Sequence, residues 1–563
     1  MNDIVRTKAD SGLAPQPALT LVSEKRWASV AGRGSYALSG HTAMSGTRYV
    51  RVELRKRVAW APLEAFAGTS QEFIAHLKRH DVVVIGSKES SEIRDVAGKL
   101  TLFPPGPLID RPGWTGPYFA LASGGVFKPA CHPDAEVLFD PCPEKFAKAG
   151  KFKKWLKEVA KPFSGQPLPT FVLMAAFTGP LLELVGRDGN FGFELVGAKG
   201  KGKSTLQMVM ASALGRGHQS AKGQYWLTCR ATVNGLEAAM RTHSDAALIL
   251  DDASLFASGK SGKARSAEFN DFVFSLYSGH SKVRFGTPRQ ESFRFNYMLS
   301  SNERLADNLD GSRATVSEAA CDRLITIPID ADRPYGVFDL VPAEFKGSAE
   351  FARSLVNAIE KHHGHAFRRF VKRLVQARHD DETGLRDKLK GFVRAFQDRV
   401  GVDPNDGSSQ RVTGAFGLVY AAGMLAKDYG ALPRSFKCMA ACKAVYKLHL
   451  TAGKPRPFRD RLVSLSRHPD VIDLDKTSLT KMSKKQLTKP AAFLRTNRSG
   501  EREVLLVRKA LMRAFPDWLQ TCGTAEVQAL LRSQNGRKGS QCQLRQNRNK
   551  DRAYIFVIDD EED

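Results

Sequence analysis

One octet constrains the fold of this chain more than any other feature: GAKGKGKS at residues 197–204, which fits the pattern G-x-x-x-x-G-K-[ST]. The apolar run FELV precedes it. The segment KSTLQMVMASALG follows with helical spacing and ends on Gly215, a favourable helix C-cap. A glycine-rich loop between a strand and a helix lets backbone N–H groups surround phosphates at the positive end of the helix dipole. The sequence therefore predicts a phosphate-binding loop in a parallel α/β sheet.

The residue types of the loop indicate its ligands. We expect the glycines to let the backbone curl around the phosphates of ATP, Lys203 to reach the β and γ oxygens, and Ser204 to bind Mg²⁺. The predicted nucleotide contacts are Gly197, Ala198, Lys199, Gly200, Lys201, Gly202, Lys203, Ser204 and Thr205.

Two carboxylates follow the apolar strand AALILDD, residues 246–252. A phosphate-loop enzyme needs one acid for the metal, a role that suits Asp251, and often a second to orient water, a role that suits Asp252. A solvated strand end would look similar. However, the pair lies about fifty residues after the lysine and at the carboxyl end of a buried strand, where ligands bind in open α/β sheets.

Further polar residues adjoin two more apolar strands. FRFNYMLSSNER ends in Ser300, Ser301 and Asn302, and we expect these polar groups to sense a γ-phosphate. In CDRLITIPID, Arg323 introduces a fourth strand, where it is either a surface charge or a catalytic residue.

The pattern along the chain predicts five parts. These are a flexible N-terminal arm (1–45), an N-terminal α+β module (46–150), a P-loop ATPase domain with an AAA+/RecA-like parallel sheet (151–335), an α-helical domain (336–453) and a basic, winged-helix-like C-terminal region with an acidic tail (454–563). Within the module, YVRVELRKRVAW and DVVVIG are expected to form strands and SQEFIAHLKRHD a helix.

Charge favours a polyanionic partner. Lys and Arg number 85 against 59 acids, a formal net charge of +26, and nucleic acid explains this better than a merely solubilising surface. The apolar run at 167–186 is interrupted by Gly179 and Pro180 and contains Glu183, so we expect a buried helix and no membrane association. The start MNDIVRTKADSG lacks the apolar core of a signal peptide. Cys438 and Cys442 have no second His/Cys pair nearby, so reduced cytoplasmic thiols fit better than zinc.

Several blocks resemble a known family, domain-of-unknown-function family 927, a group of P-loop proteins of phages, plasmids and other mobile elements often labelled predicted helicases. They are RPGWTGPYFAL, AAFTGPLLELVG, the octet, YWLTCRATVNGLEAAMRTHSDAALILDD, SGHSKVRFG, LSSNE, DRLITIPID and GVFDL, in family order from about residue 49 to about residue 450. The resemblance implies a ring-forming ATPase, similar to AAA+ and other hexameric helicases, in mobile-element DNA replication or processing.

The resemblance also implies roles for individual residues. Phosphate binding carries over to Gly197, Gly202, Lys203 and Ser204, and metal binding to Asp251. Residues acting on a neighbouring subunit's site would be Lys282, Arg284 and Arg323. Two departures matter. The family usually has Glu where this chain has Asp252, one methylene shorter, which puts the rate of hydrolysis in doubt. The segment ASGKSGKARSAEF resembles an enlarged loop, and we expect its Lys260, Lys263 and Arg265 to meet DNA and not nucleotide.

The last forty residues predict a DNA-binding surface. GTAEVQALLRSQNGRKGSQCQLRQNRNKDRAYIFVIDD is typical of a helix, a basic loop and a terminal strand, and a disordered solvated tail is the alternative. Such basic side chains contact phosphates without reading sequence. The expected contacts are Arg537, Lys538, Arg545, Arg548, Lys550 and Arg552.

Two functions fit these observations. The first is an ATP-dependent helicase or translocase that acts on single-stranded or forked DNA as a homo-oligomeric, hexameric ring. The second is a nucleotide-switched DNA-binding or assembly ATPase with slow turnover, which Asp252 favours. A small-molecule kinase would leave the charge unexplained.

Overall fold

The computed structural model describes residues 25–30, 34–187, 189–220, 223–229, 233–253, 271–281, 291–302, 304, 323–329, 333–452, 458–466, 470–477, 489–497, 499–515, 518, 522–534, 537–538, 542–543 and 552–558. These residues fall into two compact units. One lies within 1–329 and 335–450, and the other within 330–334 and 451–563.

The first unit begins with an antiparallel sheet and two helices. The strands β1 (Lys25–Val30), β2 (Gly34–Thr42), β3 (Arg48–Leu54) and β4 (Arg57–Pro62) pair in that order, and a 3₁₀ turn (Leu63–Phe66) and helices α1 (Ser70–Arg79) and α2 (Gly86–Gly98) follow. Tyr36, Leu38 and Val50 belong to the core under this sheet, and Ala37 and Ser39 on the other face of β2 are buried as well. A capping box starts α1, where Thr69 and Glu72 each accept a hydrogen bond from the other's backbone N–H.

Two expectations for this part need correction. Residues 25–30 and 34–42, assigned to a flexible arm, form β1 and β2, because this antiparallel pair buries Ala28, Tyr36 and Leu38 in the same core. The segment DVVVIG, expected as a strand, has no ladder partner among the described residues. Val82 and Val84 instead fill this core from an extended connection that ends where α2 begins. An apolar segment can thus contribute buried side chains to the core without being hydrogen-bonded into a sheet.

Short strands complete the N-terminal part. Strand β5 (Leu108–Ile109) pairs in parallel with β9 (Glu136–Val137), while β6 (Gly113–Thr115), β7 (Tyr118–Ala120) and β8 (Val126–Phe127) form an antiparallel sheet. Trp114 anchors them: its backbone N–H donates to Asp245 Oδ2 at 2.9 Å and its indole Nε1 to the Pro180 carbonyl at 2.9 Å. Arg294 bonds the same Asp245 carboxylate and also Glu183.

Short helical segments lead to the central sheet. They are α3 (Phe152–Trp155), a π-helical turn (Leu156–Ala160), a 3₁₀ turn (Lys161–Phe163), α4 (Pro167–Ala175) and α5 (Leu181–Leu184). All of α4 after its first residue is buried, which confirms the expected buried helix. Among the described residues, no helix is long and apolar enough to cross a membrane.

A five-stranded parallel sheet forms the middle of the unit, as the sequence predicted. Its strands are β10 (Phe191–Val196), β11 (Leu227–Thr228), β12 (Ala246–Asp251), β13 (Phe295–Ser301) and β14 (Leu324–Pro328), in the order β11-β12-β13-β10-β14. Helices α6 (Lys203–Leu214) and α7 (Val233–Thr242) connect them. Strands β10, β12 and β13 are buried along most of their length, which is why their sequences are nearly continuous apolar runs.

Helices make up the rest of the first unit, in agreement with the predicted helical spacing. They are α8 (Ser348–Lys361), α9 (Ala366–Asp380), α10 (Glu382–Val400), α11 (Gly407–Asp428) and α12 (Cys438–Thr451). Cys438 and Cys442 are both buried in α12, and burial raises the pKa of Cys438 to about 11. The six cysteines whose side chains the structure describes are all free thiols.

The second unit has its own core. Its elements are α13 (Phe458–Ser466), β15 (Ile472–Asp473), β16 (Phe493–Thr496), β17 (Arg502–Val507), α14 (Arg508–Ala514), α15 (Ala525–Leu530), β18 (Ser533–Gln534), β19 (Arg537–Lys538), β20 (Cys542–Gln543) and β21 (Arg552–Ile558). One sheet has the order β15-β16-β17-β21-β20, and β18 pairs with β19. Buried Glu503 in β17 forms ion pairs with Arg495 and Arg532. The winged-helix-like arrangement stays a prediction.

His243 makes the stability of the first unit depend on pH. The imidazole is buried beside Phe146 and Tyr225, its Nδ1 bonds the Ala239 carbonyl at 2.8 Å, and burial lowers its pKa to about 4. An unfolded chain takes up this proton below about pH 6.5, whereas the folded protein takes it up only near pH 4. The stability that neutral His243 contributes is therefore present above pH 6.5 and lost as the pH falls towards 4.

We predict that His243→Phe makes the free energy of unfolding of this unit less dependent on pH between 6.5 and 4.5. The parent should lose up to about 1.36 kcal/mol per pH unit from this residue, measured by urea unfolding at several pH values. The same exchange at His280, an exposed position, is the control for replacing an imidazole by a phenyl ring. Parallel curves for His243→Phe and the parent would contradict this account.

Candidate phosphate and metal site

The loop between β10 and α6 turns through two glycines. Gly200 has φ +84° and Gly202 has φ +90°, which places both in the left-handed region that glycine tolerates best. The loop packs against a neighbouring segment, because Val337 N–H donates to the Lys201 carbonyl at 2.9 Å. A Cβ at Gly197 would lie 2.7 Å from the Ile329 carbonyl oxygen. The octet thus needs glycine for backbone conformation and for close approach.

Lys203 begins α6 and is 8% exposed. Its ammonium donates to the carbonyls of Gly197 at 2.5 Å and Ala198 at 3.1 Å, and to Asn302 Oδ1 at 3.3 Å. Burial lowers the pKa of this amine, and the charges of Asp251 and Asp252 oppose that shift. The structure therefore brings Lys203 and Asn302 together beside the loop.

The two acids lie at the carboxyl end of β12, next to the start of α6. Asp251 Oδ1 accepts hydrogen bonds from Ser204 Oγ at 3.0 Å and from Ser300 Oγ at 2.6 Å. Ser300 also accepts from the backbone N–H of Asp252 at 3.0 Å. Carboxylate and hydroxyl oxygens are the ligands that Mg²⁺ prefers, so Ser204 and Asp251 fit the metal role that the sequence gave them.

Ser301 points elsewhere. Its hydroxyl donates to Glu194 Oε1 at 2.8 Å, and Thr326 donates to the other oxygen of this buried carboxylate at 3.3 Å. Successive residues of a strand face opposite sides of a sheet, so Ser300 reaches the acid pair and Ser301 does not. The role predicted for Ser301 stays a prediction, and Ser300 is the hydroxyl that contacts Asp251.

Two polar residues near the site, Glu194 and Gln207, were not identified from the sequence. Gln207 Nε2 donates to the Leu250 carbonyl at 2.9 Å and to the Met298 carbonyl at 3.3 Å, which ties α6 to β12 and β13. For both residues the sequence contained the same kind of signal. Gln207 is a polar residue in an otherwise apolar helical run, four residues after Lys203, and Glu194 is the charged residue inside FELV.

Arg323 lies at the opposite edge of the sheet from the loop. It immediately precedes β14, whose Leu324 pairs with Gly192 near the start of β10, whereas the loop follows the end of β10. The guanidinium stacks 4.0 Å from the ring centroid of Tyr277 and 4.7 Å from that of Phe274. Within one subunit, Arg323 is thus not part of the site. Lys282 and Arg284 lie outside the described residues.

The predicted DNA contacts belong to the second unit. Arg537 and Lys538 form β19 and Arg552 begins β21, but only their backbones are described. Arg545, Arg548 and Lys550 lie outside the described residues.

Comparison with known protein families gives a match for part of the first unit. Residues 41–288 match the model described as Domain of unknown function (DUF927). The matched segment covers less than half of the chain. It includes the loop, α6 and the acid pair, so most of the candidate site lies inside the matched residues. The comparison with curated proteins gives no match.

Solved structures show a likeness across nearly the whole chain. The structure named "SCCmec type IV Cch - active helicase" is 13% identical, with 96% of this chain and 98% of that chain covered and a TM-score of 0.54. This likeness shows a shared fold. The A form apo structure of the NrS-1 C-terminal region is 12% identical, with 58% of this chain and 65% of that chain covered and a TM-score of 0.26.

We predict that the two loop glycines respond differently to alanine. Gly202→Ala places a Cβ 2.9 Å from buried Val337 Cγ2, whereas a Cβ at Gly200 meets nothing within 4 Å. Both variants carry the cost of a positive φ, about 1 kcal/mol. Gly202→Ala should lower the free energy of unfolding by roughly 1–3 kcal/mol more, because a packed contact must also give way. Equal losses in urea unfolding would mean that Val337 does not pack against this loop.

Proposed function

We propose that this protein is an ATP-hydrolysing DNA helicase or translocase that works as an oligomeric ring. One observation carries the proposal. Where a glycine-rich loop joins a parallel strand to a helix, Lys203 is hydrogen-bonded to Asn302 and Ser204 to Asp251. A buried ammonium and the N–H groups at the start of α6 suit the β- and γ-phosphates of ATP. The predicted contacts from Gly197 to Thr205 surround this position.

The residues around Asp251 suit a nucleotide-bound Mg²⁺. Ser204 and Asp251 would hold the ion, which when bound neutralises phosphate charge. Asp252, next along the chain, would orient the attacking water. Asn302 would contact the γ-phosphate beside Lys203, to which it is already hydrogen-bonded.

Charge and fold support DNA as the partner. The excess of 85 basic over 59 acidic residues suits a polyanion. The structure that shares the fold over 96% of this chain is named as an active helicase. The basic residues from Arg537 to Arg552 would contact phosphates, and single-stranded or forked DNA is the substrate we propose.

A ring would explain the position of Arg323. This arginine cannot serve its own loop from the opposite edge of the sheet, whereas a residue that completes a neighbour's site must project away from its own. We propose that Arg323 acts in trans on the γ-phosphate of an adjacent subunit, with Arg284 and Lys282 as the other candidates.

Asp252 favours a second function. Its backbone has φ +55°, a conformation that Asp adopts more readily than most residues. A shorter side chain in this position orients water less closely than Glu would. A nucleotide-switched DNA-binding ATPase with slow turnover and no unwinding is therefore the alternative.

We predict that Lys203→Ala lowers the rate of ATP hydrolysis by about 10²-fold or more, because the developing phosphate charge loses its buried cation. The measurement is the ATPase rate with and without single-stranded DNA, together with the native mass in each nucleotide state. Lys388→Ala removes an exposed lysine from α10 and should keep the parent rate. Unchanged turnover in Lys203→Ala would refute the phosphate-loop assignment, whereas a parent that binds ATP tightly and barely hydrolyses it would support the switch.

Subunit mixing tests the ring. We predict that Arg323→Ala binds ATP normally but loses about 10³-fold in hydrolysis, and that adding Lys203→Ala restores part of the activity. Some mixed interfaces then pair an intact loop with an intact arginine. A mixed oligomer that gains no activity would exclude Arg323 as the trans residue.

A further inference from the structure

Three side chains of types that bind metals converge outside the candidate phosphate and metal site. Cys131 and His132 lie in the loop between β8 and β9, and His379 lies in the last turn of α9. One ligand atom from each lies within 4.8 Å of the other two, and Cys131 Sγ is 3.2 Å from His379 Nε2. None of these residues contributes to the candidate phosphate and metal site.

The surrounding hydrogen bonds hold the loop against the helix. Ala130 N–H donates to Gln376 Oε1 on α9 at 3.4 Å, and Lys128 Nζ donates to the His132 carbonyl at 2.6 Å. The Tyr118 hydroxyl donates to the Pro133 carbonyl at 3.1 Å. The His132 ring packs edge-on against the His379 ring, with 5.4 Å between their centroids. The ligands are therefore positioned from both sides without a metal.

We propose that Cys131, His132 and His379 bind a zinc ion, with a water molecule as fourth ligand. Tetrahedral zinc with bonds of about 2.3 Å to sulfur and about 2.0–2.1 Å to nitrogen separates the two atoms by roughly 3.5 Å. The separation of 3.2 Å between Cys131 Sγ and His379 Nε2 needs only a small adjustment to match this value. A thiolate with two imidazoles is a donor set for zinc and not for magnesium or calcium.

The ion would join distant parts of the chain. Cys131 and His379 are 248 positions apart, the first inside the matched family segment and the second in the helical region. Zinc would thus clamp the N-terminal part to α9, independently of nucleotide. Because thiol and imidazoles must lose their protons to bind, affinity should fall as the pH decreases.

Cobalt substitution of the full-length protein tests the site. We expect the parent to bind one Co²⁺ with the intense visible bands of a tetrahedral site and a near-ultraviolet sulfur-to-cobalt charge-transfer band, both displaced by Zn²⁺. Cys131→Ser should abolish the charge-transfer band. His379→Ala should weaken Zn²⁺ binding by more than the 10- to 100-fold that loss of an outer-shell partner costs. Cys142→Ser, in the same part of the chain, should behave as the parent does.

Two results would overturn the proposal. One is a parent protein that binds no Co²⁺ with a charge-transfer band, or that shows only the weak visible bands of octahedral coordination. The other is a Cys131→Ser variant that retains the band. Circular dichroism shows whether each variant is folded, and the titration of the parent decides the question even if a variant is not.

Discussion

The candidate site depends on the parallel pairing of β10 with β13 and β14. In this register Val196 lies opposite Ser301 on one side and Pro328 on the other, so the loop that follows Val196 emerges beside Asn302. Strand β12 pairs with β13 and ends at Asp251 on the same edge. A slip of one residue would exchange Ser300 for Ser301 and turn the hydroxyl away from Asp251. The buried apolar faces of these strands determine the register, and the register determines which polar side chains lie beside Asp251.

A second constraint joins the N-terminal part to this sheet. Asp245, buried just before β12, accepts a hydrogen bond from the Trp114 backbone and pairs with Arg294 before β13. Burial raises the pKa of Asp245, while Arg294 opposes that shift, and the guanidinium is also shared with Glu183. Removing one member of such a cluster leaves a buried charge uncompensated, which costs several kcal/mol in typical proteins. The blocks RPGWTGPYFAL and AAFTGPLLELVG meet at this cluster, because Trp114 also bonds Pro180.

The features that depend on short-range sequence patterns could be predicted from the sequence. The loop, the acid pair and the parallel sheet follow from glycine spacing, apolar runs and strand ends within a few residues of one another. Side-chain direction depends on register between distant strands, so Ser300 and Ser301 could not be distinguished beforehand. The segment DVVVIG has the composition of a strand, but pairing also requires a partner edge, which the described residues do not give it. Cys131 and His379 are 248 positions apart, and no local motif connects them.

At residue 252 the backbone conformation and the length of the side chain are linked. Asp251 ends β12, and at Asp252 the chain turns with φ +55° while its N–H donates to Ser300. Left-handed backbone favours Asp over a longer side chain, since its short carboxylate can hydrogen-bond locally. The presence of Asp at position 252 therefore has a structural reason that is separate from any role in catalysis. A chain that keeps this turn has one methylene less at residue 252 than it would have with Glu, so the backbone geometry that follows Asp251 also limits how far the carboxylate of residue 252 extends.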